Sequence, residues 1–316
     1  MRVRILASIE ERQGGVSTYM NALRQYLPSH GVTLVEDDSA DVILHIGPHE
    51  YSGMQEYKGK LVVVVHDLIP EILLGDDKIR PGRKALLDAA NAVIAVSQWT
   101  KNDLVREYAV QEEKVHVIHH GRPEWCESGQ AGNDADAHSH RYILFVGKRQ
   151  GYKRFFWFLR SVALFLWRHP SVRIKCTGEP FGRREKLLIA VLGLYGRVSV
   201  RRYTEDEMLT LYANAIALVY PSAYEGFGLP VVEAMSYGCP VVISRSTCLP
   251  EVASDGAMYF EFGDAHGFRK SLEQLLDTGA GNTCRAGLIA SGRAVASRYS
   301  WNRCAAETAE VLKSVI

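Results

Sequence analysis

The sequence predicts an α/β protein of two halves, each a mostly parallel sheet with helices between its strands. Three observations carry this. Short apolar runs alternate with helical segments from Val3 to His119; the pattern then breaks, and it restarts at Tyr142. At the break, residues 126–140 are small, polar and aperiodic, the composition of a linker or surface loop.

In the first half, Val3–Ile9, Thr33–Glu36, Asp41–Ile46, Leu61–His66, Ala92–Val96 and Val115–His119 read as strands. Helices are expected over Val16–Leu27, Arg83–Asn91 and Thr100–Tyr108. The second half places strands at Tyr142–Val146, Arg173–Cys176, Val198–Arg201, Ala215–Tyr220 and Val241–Ile243, with a last helix over Trp301–Val315. Open sheets of this class bind ligands outside the carboxyl ends of their strands, so site residues are sought there.

Composition sets the class without naming a chemistry. A chain of 316 residues with 47 % hydrophobic content is long enough for two ordinary domains. The formal net charge of +1 gives no bulk signal for nucleic acid or membrane. The N-terminus opens on strand-like alternation rather than a secretory signal, and the six scattered cysteines read as reduced thiols of a cytoplasmic protein.

Residues 224–240 carry the most chemistry. The apolar run Ala215–Tyr220 ends in a segment holding two carboxylates, Glu225 and Glu233, with Gly226 and Gly228 between them to turn the chain tightly. Pro230 suits the first turn of a helix, whose free N–H groups and positive dipole end make a place for phosphate. Glu233 is expected in that first turn, able to accept hydrogen bonds from a ribose, and Glu225 at the strand end can reach a sugar. A strand, turn and helix with an acidic N-terminal residue is also common in α/β proteins, so the segment alone leaves both readings open.

Glu225-Gly-Phe-Gly-Leu-Pro with Glu233 resembles the signature of glycosyltransferase family 4, a group of retaining enzymes that includes bacterial mannosyltransferases and other polysaccharide-assembly transferases. Further similarities follow in order: Gly14-Gly15-Val16, Val65-His66-Asp67, Val96-Ser97-Gln98-Trp99-Thr100, Val146-Gly147-Lys148-Arg149 with Tyr152-Lys153, and Leu249-Pro250-Glu251-Val252. The resemblance implies the GT-B fold, two Rossmann-like α/β domains facing each other across a cleft. Residues 1–125 would form the acceptor-side domain, short for the family, and 141–298 the nucleotide-sugar domain. The helix in 299–316 would return to the first. It further implies a retaining, metal-independent transfer from a GDP- or UDP-sugar to a glycan or lipid-linked acceptor, with no separate cofactor and no nucleic-acid partner. The donor would be held by Gly14, Gly15, Arg149, Lys153, Gly226, Phe227, Gly228, Leu229 and Glu233. Glu225 and His66 would be the catalytic residues, Glu225 orienting the donor sugar rather than attacking it.

Arg149, Lys153 and His66 each have a physical argument beside the resemblance. Arg149 and Lys153 follow the strand Tyr142–Val146, and a guanidinium fork with an ammonium point charge can neutralise a diphosphate; the same cluster would be ordinary on a surface. His66 ends the run Leu61–Val65, where it either contacts a ligand and manages a proton near neutral pH or only shapes its loop. His45, His119 and His120 occupy similar strand ends. No aspartate pair has the spacing of a divalent-metal motif. The aromatic segment Phe155–Trp167 is too short to span a bilayer and reads as a core helix. Lys78, Arg80, Arg83 and Lys84 form a basic cluster suited to solvent or to anionic lipid, which would allow peripheral attachment at the inner face of the membrane. Two alternatives use the same architecture: a non-catalytic sugar-nucleotide-binding protein and a GT-B epimerase.

Overall fold

A computed structural model describes residues 1–7, 14–47, 59–123, 141–149, 151–276 and 283–316. The chain divides into two compact units: Met1–Arg122 with Glu225–Leu229 and Tyr299–Ile316, and Pro123–Tyr224 with Pro230–Arg298. The expected linker over 126–140 lies outside the described residues.

The first unit runs β1 (Arg2–Ala7), α1 (Gly15–Tyr26), β2 (Thr33–Leu34), β3 (Val42–Ile46), β4 (Lys60–Val65), α2 (Ile69–Ile72), α3 (Ile79–Ala89), β5 (Ala92–Ala95), α4 (Gln98–Tyr108) and β6 (Val115–Val117). Its strands form a parallel sheet in the order β2-β1-β3-β4-β5-β6. β3 and β5 are buried along their whole length, and β4 is buried from Leu61 onward, because crossover helices cover both faces of a parallel sheet. Ile43, Val63, Val65, Leu86, Val93 and Leu104 form one side of this core. The helix expected from Arg83 starts at Ile79, since Pro81 falls within the first turn, where its missing N–H costs no hydrogen bond. At α4, Ser97 Oγ accepts the Thr100 N–H at 3.1 Å and fixes the helix start. The chain returns to this unit in α12 (Trp301–Ser314), which packs beside α1. There Asn302 Oδ1 lies 2.8 Å from His30 Nε2.

The second unit contains β7 (Tyr142–Phe145), α5 (Phe155–Arg168), β8 (Arg173–Thr177), α6 (Arg183–Val191), β9 (Val198–Arg201), α7 (Glu205–Asn214), β10 (Ala217–Tyr220), α8 (Leu229–Ser236), β11 (Val241–Ser244), α9 (Leu249–Ala253), β12 (Met258–Phe260), α10 (Ala265–Leu276) and α11 (Thr283–Ala296). The sheet is again parallel, ordered β12-β11-β10-β7-β8-β9. The aromatic segment is the core helix α5: Phe155, Phe158, Leu159, Val162, Phe165 and Leu166 are buried, with Phe158 stacked on Phe145 of β7. β12 escapes sequence reading because it is a three-residue edge strand, buried fully only at Phe260. No helix among the described residues is long and apolar enough to cross a membrane.

Candidate active site

The segment Glu225–Leu229, expected inside the second domain, groups with the first unit. The physical reason is Gly226. A Cβ placed there would fall 1.7 Å from the His66 carbonyl oxygen and 3.1 Å from the Asp67 Cβ, so only glycine lets the loop seat on the carboxyl end of β4. Thr100 Oγ1 donates to the Gly226 carbonyl at 3.5 Å, and a Cβ at Gly15 would meet Leu229 Cδ1 at 3.2 Å. Gly14, with φ 77°, sits in the left-handed region as the N-cap of α1. Within this unit the structure therefore brings Gly15, His66, Gly226, Phe227 and Leu229 together.

Behind the loop lies an aromatic cluster that sequence reading undervalued. The His66 ring centroid is 5.0 Å from Tyr19 and 5.1 Å from His120; His120 in turn lies 4.9 Å from Phe227 and 5.6 Å from Trp301. Nε2 of His66 and both ring nitrogens of His120 are buried without a hydrogen-bond partner among the described residues. Burial pushes His66 down to about 4, and His120 lies well below its ordinary value through burial and then the neighbouring His66 and His119. His66 is thus neutral at pH 7, which suits a hydrogen bond to a ligand better than proton management near neutrality. His120 carried the weaker signal because its Gly121 contact is distant in sequence: a Cβ at Gly121 would lie 2.1 Å from the Trp301 nitrogen. His45 is enclosed in β3, also pushed down to about 4 by burial.

The strand end itself is braced. Arg83 Nη1 donates to the Asp67 carbonyl at 2.7 Å, and its guanidinium is ion-paired with Glu71 at 2.8 Å. Tyr108 donates to the same Glu71 carboxylate at 2.7 Å. Arg83 is 3 % exposed and so is withdrawn from the basic cluster expected to face solvent or anionic lipid; Arg80 pairs with Asp77 and Glu107, and Lys84 with Asp88. Burial of the 71–83 pair behind β4, invisible in the local sequence, is what removes Arg83 from solvent.

In the second unit, Lys153 is buried and donates to the Tyr220 hydroxyl at 2.6 Å, at the carboxyl end of β10. Glu233 is the fifth residue of α8, not a first-turn residue as expected, because the helix already starts at Leu229. Tyr212 of α7 donates to Glu233 Oε2 at 2.8 Å, and burial raises the Glu233 carboxyl from its ordinary value. Arg149 is heavily engaged. Its Nε donates to Glu185 Oε1 at 2.7 Å, its Nη2 to the Glu179 and Pro180 carbonyls at 2.6 and 3.2 Å, and its Nη1 to the Thr177 carbonyl at 3.5 Å. Glu185 reciprocally accepts the Gly182 N–H at 2.7 Å, tying the guanidinium to the start of α6. Tyr212, Tyr220 and Glu185 were missed by sequence reading; Tyr220 alone had a signal, as the last residue of the strand before the acidic segment. Among the described residues no group of three or more His, Cys, Asp or Glu is arranged to hold a metal.

Two family models match the chain: Glycosyltransferase Family 4 over residues 34–123 and Glycosyl transferases group 1 over residues 133–289. Among curated relatives, the MMP alpha-(1->4)-mannosyltransferase of Mycolicibacterium hassiacum is 32 % identical over 71 % of this chain and 54 % of its own. The O-antigen chain mannosyltransferase RfbU of Salmonella typhimurium is 27 % identical over 68 % of this chain and 61 % of its own. The chain thus spans little more than half the length of these relatives. Among solved structures, Anabaena HepE in complex with UDP and glucose aligns with a TM-score of 0.78 over 99 % of this chain and 100 % of the other, at 17 % identity. That likeness establishes the GT-B fold.

Proposed function

The chain belongs to glycosyltransferase family 4, and from that premise we propose that it moves a hexose from a nucleotide-diphosphate sugar to a glycan or lipid-linked acceptor, with retention and without a metal. The observation that carries this reading is the seating of Gly226 on the His66 carbonyl, which joins the Glu225 loop to the carboxyl end of β4. Glu225, 8 % exposed beside that strand end, binds donor-sugar hydroxyls and orients the anomeric carbon. Neutral His66 contributes a hydrogen bond to the sugar or the acceptor. Lys153 neutralises the diphosphate, and Glu233 accepts from the ribose.

In the proposed step the acceptor hydroxyl attacks the anomeric carbon on the face the leaving group vacates. The bond from that carbon to the diphosphate oxygen breaks, its electron pair leaves with the nucleoside diphosphate, and the hydroxyl proton passes to the departing phosphate. The mannosyltransferase relatives favour mannose as the hexose, and a neighbour of the same fold holds UDP. We place the reaction in bacterial surface polysaccharide or glycoconjugate assembly, on the cytoplasmic side of the membrane. A thermal-unfolding screen of GDP-, UDP-, dTDP- and ADP-sugars tests the donor assignment: one donor class should raise the melting temperature by mass action. Absence of any shift across the panel would refute it.

A second reading, a non-catalytic sugar-nucleotide-binding protein, would keep the donor contacts of Lys153 and Glu233 and lack only transfer. Transfer or hydrolysis of the bound donor would exclude it.

A further inference from the structure

We propose that the outward face of α6, with Tyr195 and Trp167 at its C-terminal end, is a docking surface for an anionic lipid bilayer. The helix buries one side, through Ile189 and the partly buried Leu188 and Leu192. On its other side Leu187 and Val191, one turn apart, are 66 % and 73 % exposed. Tyr195 follows at 88 % exposure, and Trp167 at 54 % is held next to it by donating Nε1 to the Leu192 carbonyl at 3.1 Å. Leu187, Val191 and Tyr195 are each about two thirds or more exposed, and Trp167 is tied by its indole N–H to the segment that joins them.

The charges around them specify the occupant. At 100° per residue, Arg183 and Lys186 fall on one flank of the Leu187–Val191 stripe and Arg184 on the other, all exposed. The one acid in the helix, Glu185, is turned onto Arg149. Of the other cations nearby in the sequence, Arg168 pairs with Glu273, Arg201 with Glu207 and Arg202 with Glu179, so the charge that this face offers is carried by Arg183, Arg184 and Lys186. An apolar stripe edged by cations, with Tyr and Trp at its rim, matches a headgroup interface: apolar side chains enter the acyl boundary, aromatic rings sit at headgroup level, and cations meet lipid phosphates. A second copy of this face would set cation against cation, which disfavours self-association there. The surface differs from the basic cluster on α3, and it does not depend on the donor chemistry proposed above.

The test uses the full chain in cosedimentation with two kinds of vesicle, phosphatidylcholine alone and phosphatidylcholine with about one third phosphatidylglycerol. Binding is expected only to the anionic vesicles and should weaken as salt is raised. Leu187→Ser with Val191→Ser removes the apolar stripe and keeps the charge, whereas Arg183→Glu with Arg184→Glu inverts the charge and keeps the stripe. Each pair should lower vesicle affinity about tenfold or more while leaving the melting temperature and nucleotide-induced stabilisation unchanged. Failure of the wild-type chain to bind vesicles, equal binding to both kinds, or wild-type binding by either double variant would overturn the proposal. So would a solution dimer that the Leu187 and Val191 variant dissociates without any vesicle binding.

Discussion

The Tyr212 hydroxyl donates to Glu233 Oε2 at 2.8 Å, joining the helix before β10 to the helix after it. The bond occupies one carboxylate oxygen and fixes the plane of the other, in a site where burial already disfavours the charged form. Tyr212 is therefore a positioning residue for the proposed ribose contact. Tyr212→Phe should weaken binding of the free nucleoside diphosphate by roughly 1 kcal/mol, about fivefold, when measured by calorimetry. An unchanged dissociation constant would remove Tyr212 from the site.

The two glutamates should fail differently. Glu233→Ala is expected to reduce affinity for the free nucleotide, since its proposed partner is the ribose. Glu225→Ala should leave that affinity nearly intact and lower turnover by about two orders of magnitude, since its proposed partner appears only with the sugar. Calorimetry and product NMR on both variants separate the roles. The reverse pattern would exchange them.

Gly226 and Gly14 make a contrast between packing and conformation. Gly226→Ala meets the His66 carbonyl at 1.7 Å, a backbone atom that cannot step aside, so the loop must lift from β4. A stability loss of roughly 3 kcal/mol and loss of transfer are expected. Gly14→Ala finds nothing within 4 Å and pays only for φ 77°, about 1 kcal/mol. Urea denaturation of both variants reads the difference, and equal losses would show that the close approach is unimportant.

Arg149 and Lys153 are expected to separate stability from binding. Arg149→Ala leaves Glu185 unpaired in a bridge whose side chains are 7 % and 12 % exposed, and should cost roughly 3–5 kcal/mol in folding. Lys153→Met keeps the stem packed and removes the charge beside Tyr220. It should weaken donor binding by roughly 1.5–3 kcal/mol. Donor affinity unaffected in the Lys153 variant would count against the diphosphate assignment.

The buried histidines predict an acid-sensitive fold. His66 and His45 are pushed from 6.5 to about 4 by burial, so between those values the unfolded chain binds protons that the folded chain does not. Stability should be full above about pH 6.5 and fall as pH drops toward 4. Each histidine contributes a slope of about 1.4 kcal/mol per pH unit. His66→Gln should flatten the dependence of the urea midpoint on pH between 7 and 5. An unchanged slope would mean that the ring titrates normally in the fold.

Local pattern was enough for the architecture. Apolar runs of four to six residues separated by helical periods specify a parallel sheet whatever its surroundings, which is why β3, β4, β5, β7 and β10 lie where the sequence places them. The acidic segment was legible for the same reason, since its glycines and Pro230 define a strand, turn and helix within a few residues. Only the tertiary structure decided what each side chain meets. Arg149 reaches Glu185 across 36 positions, Tyr212 reaches Glu233 across 21, and Arg83 turns inward to Glu71. His66 is neutral because a ring from α1 and another after β6 close over it, and Glu225–Leu229 joins the first unit because Gly226 has no Cβ. Periodicity fixes which face a residue occupies. Partner, burial and charge state depend on chain segments that become neighbours only on folding.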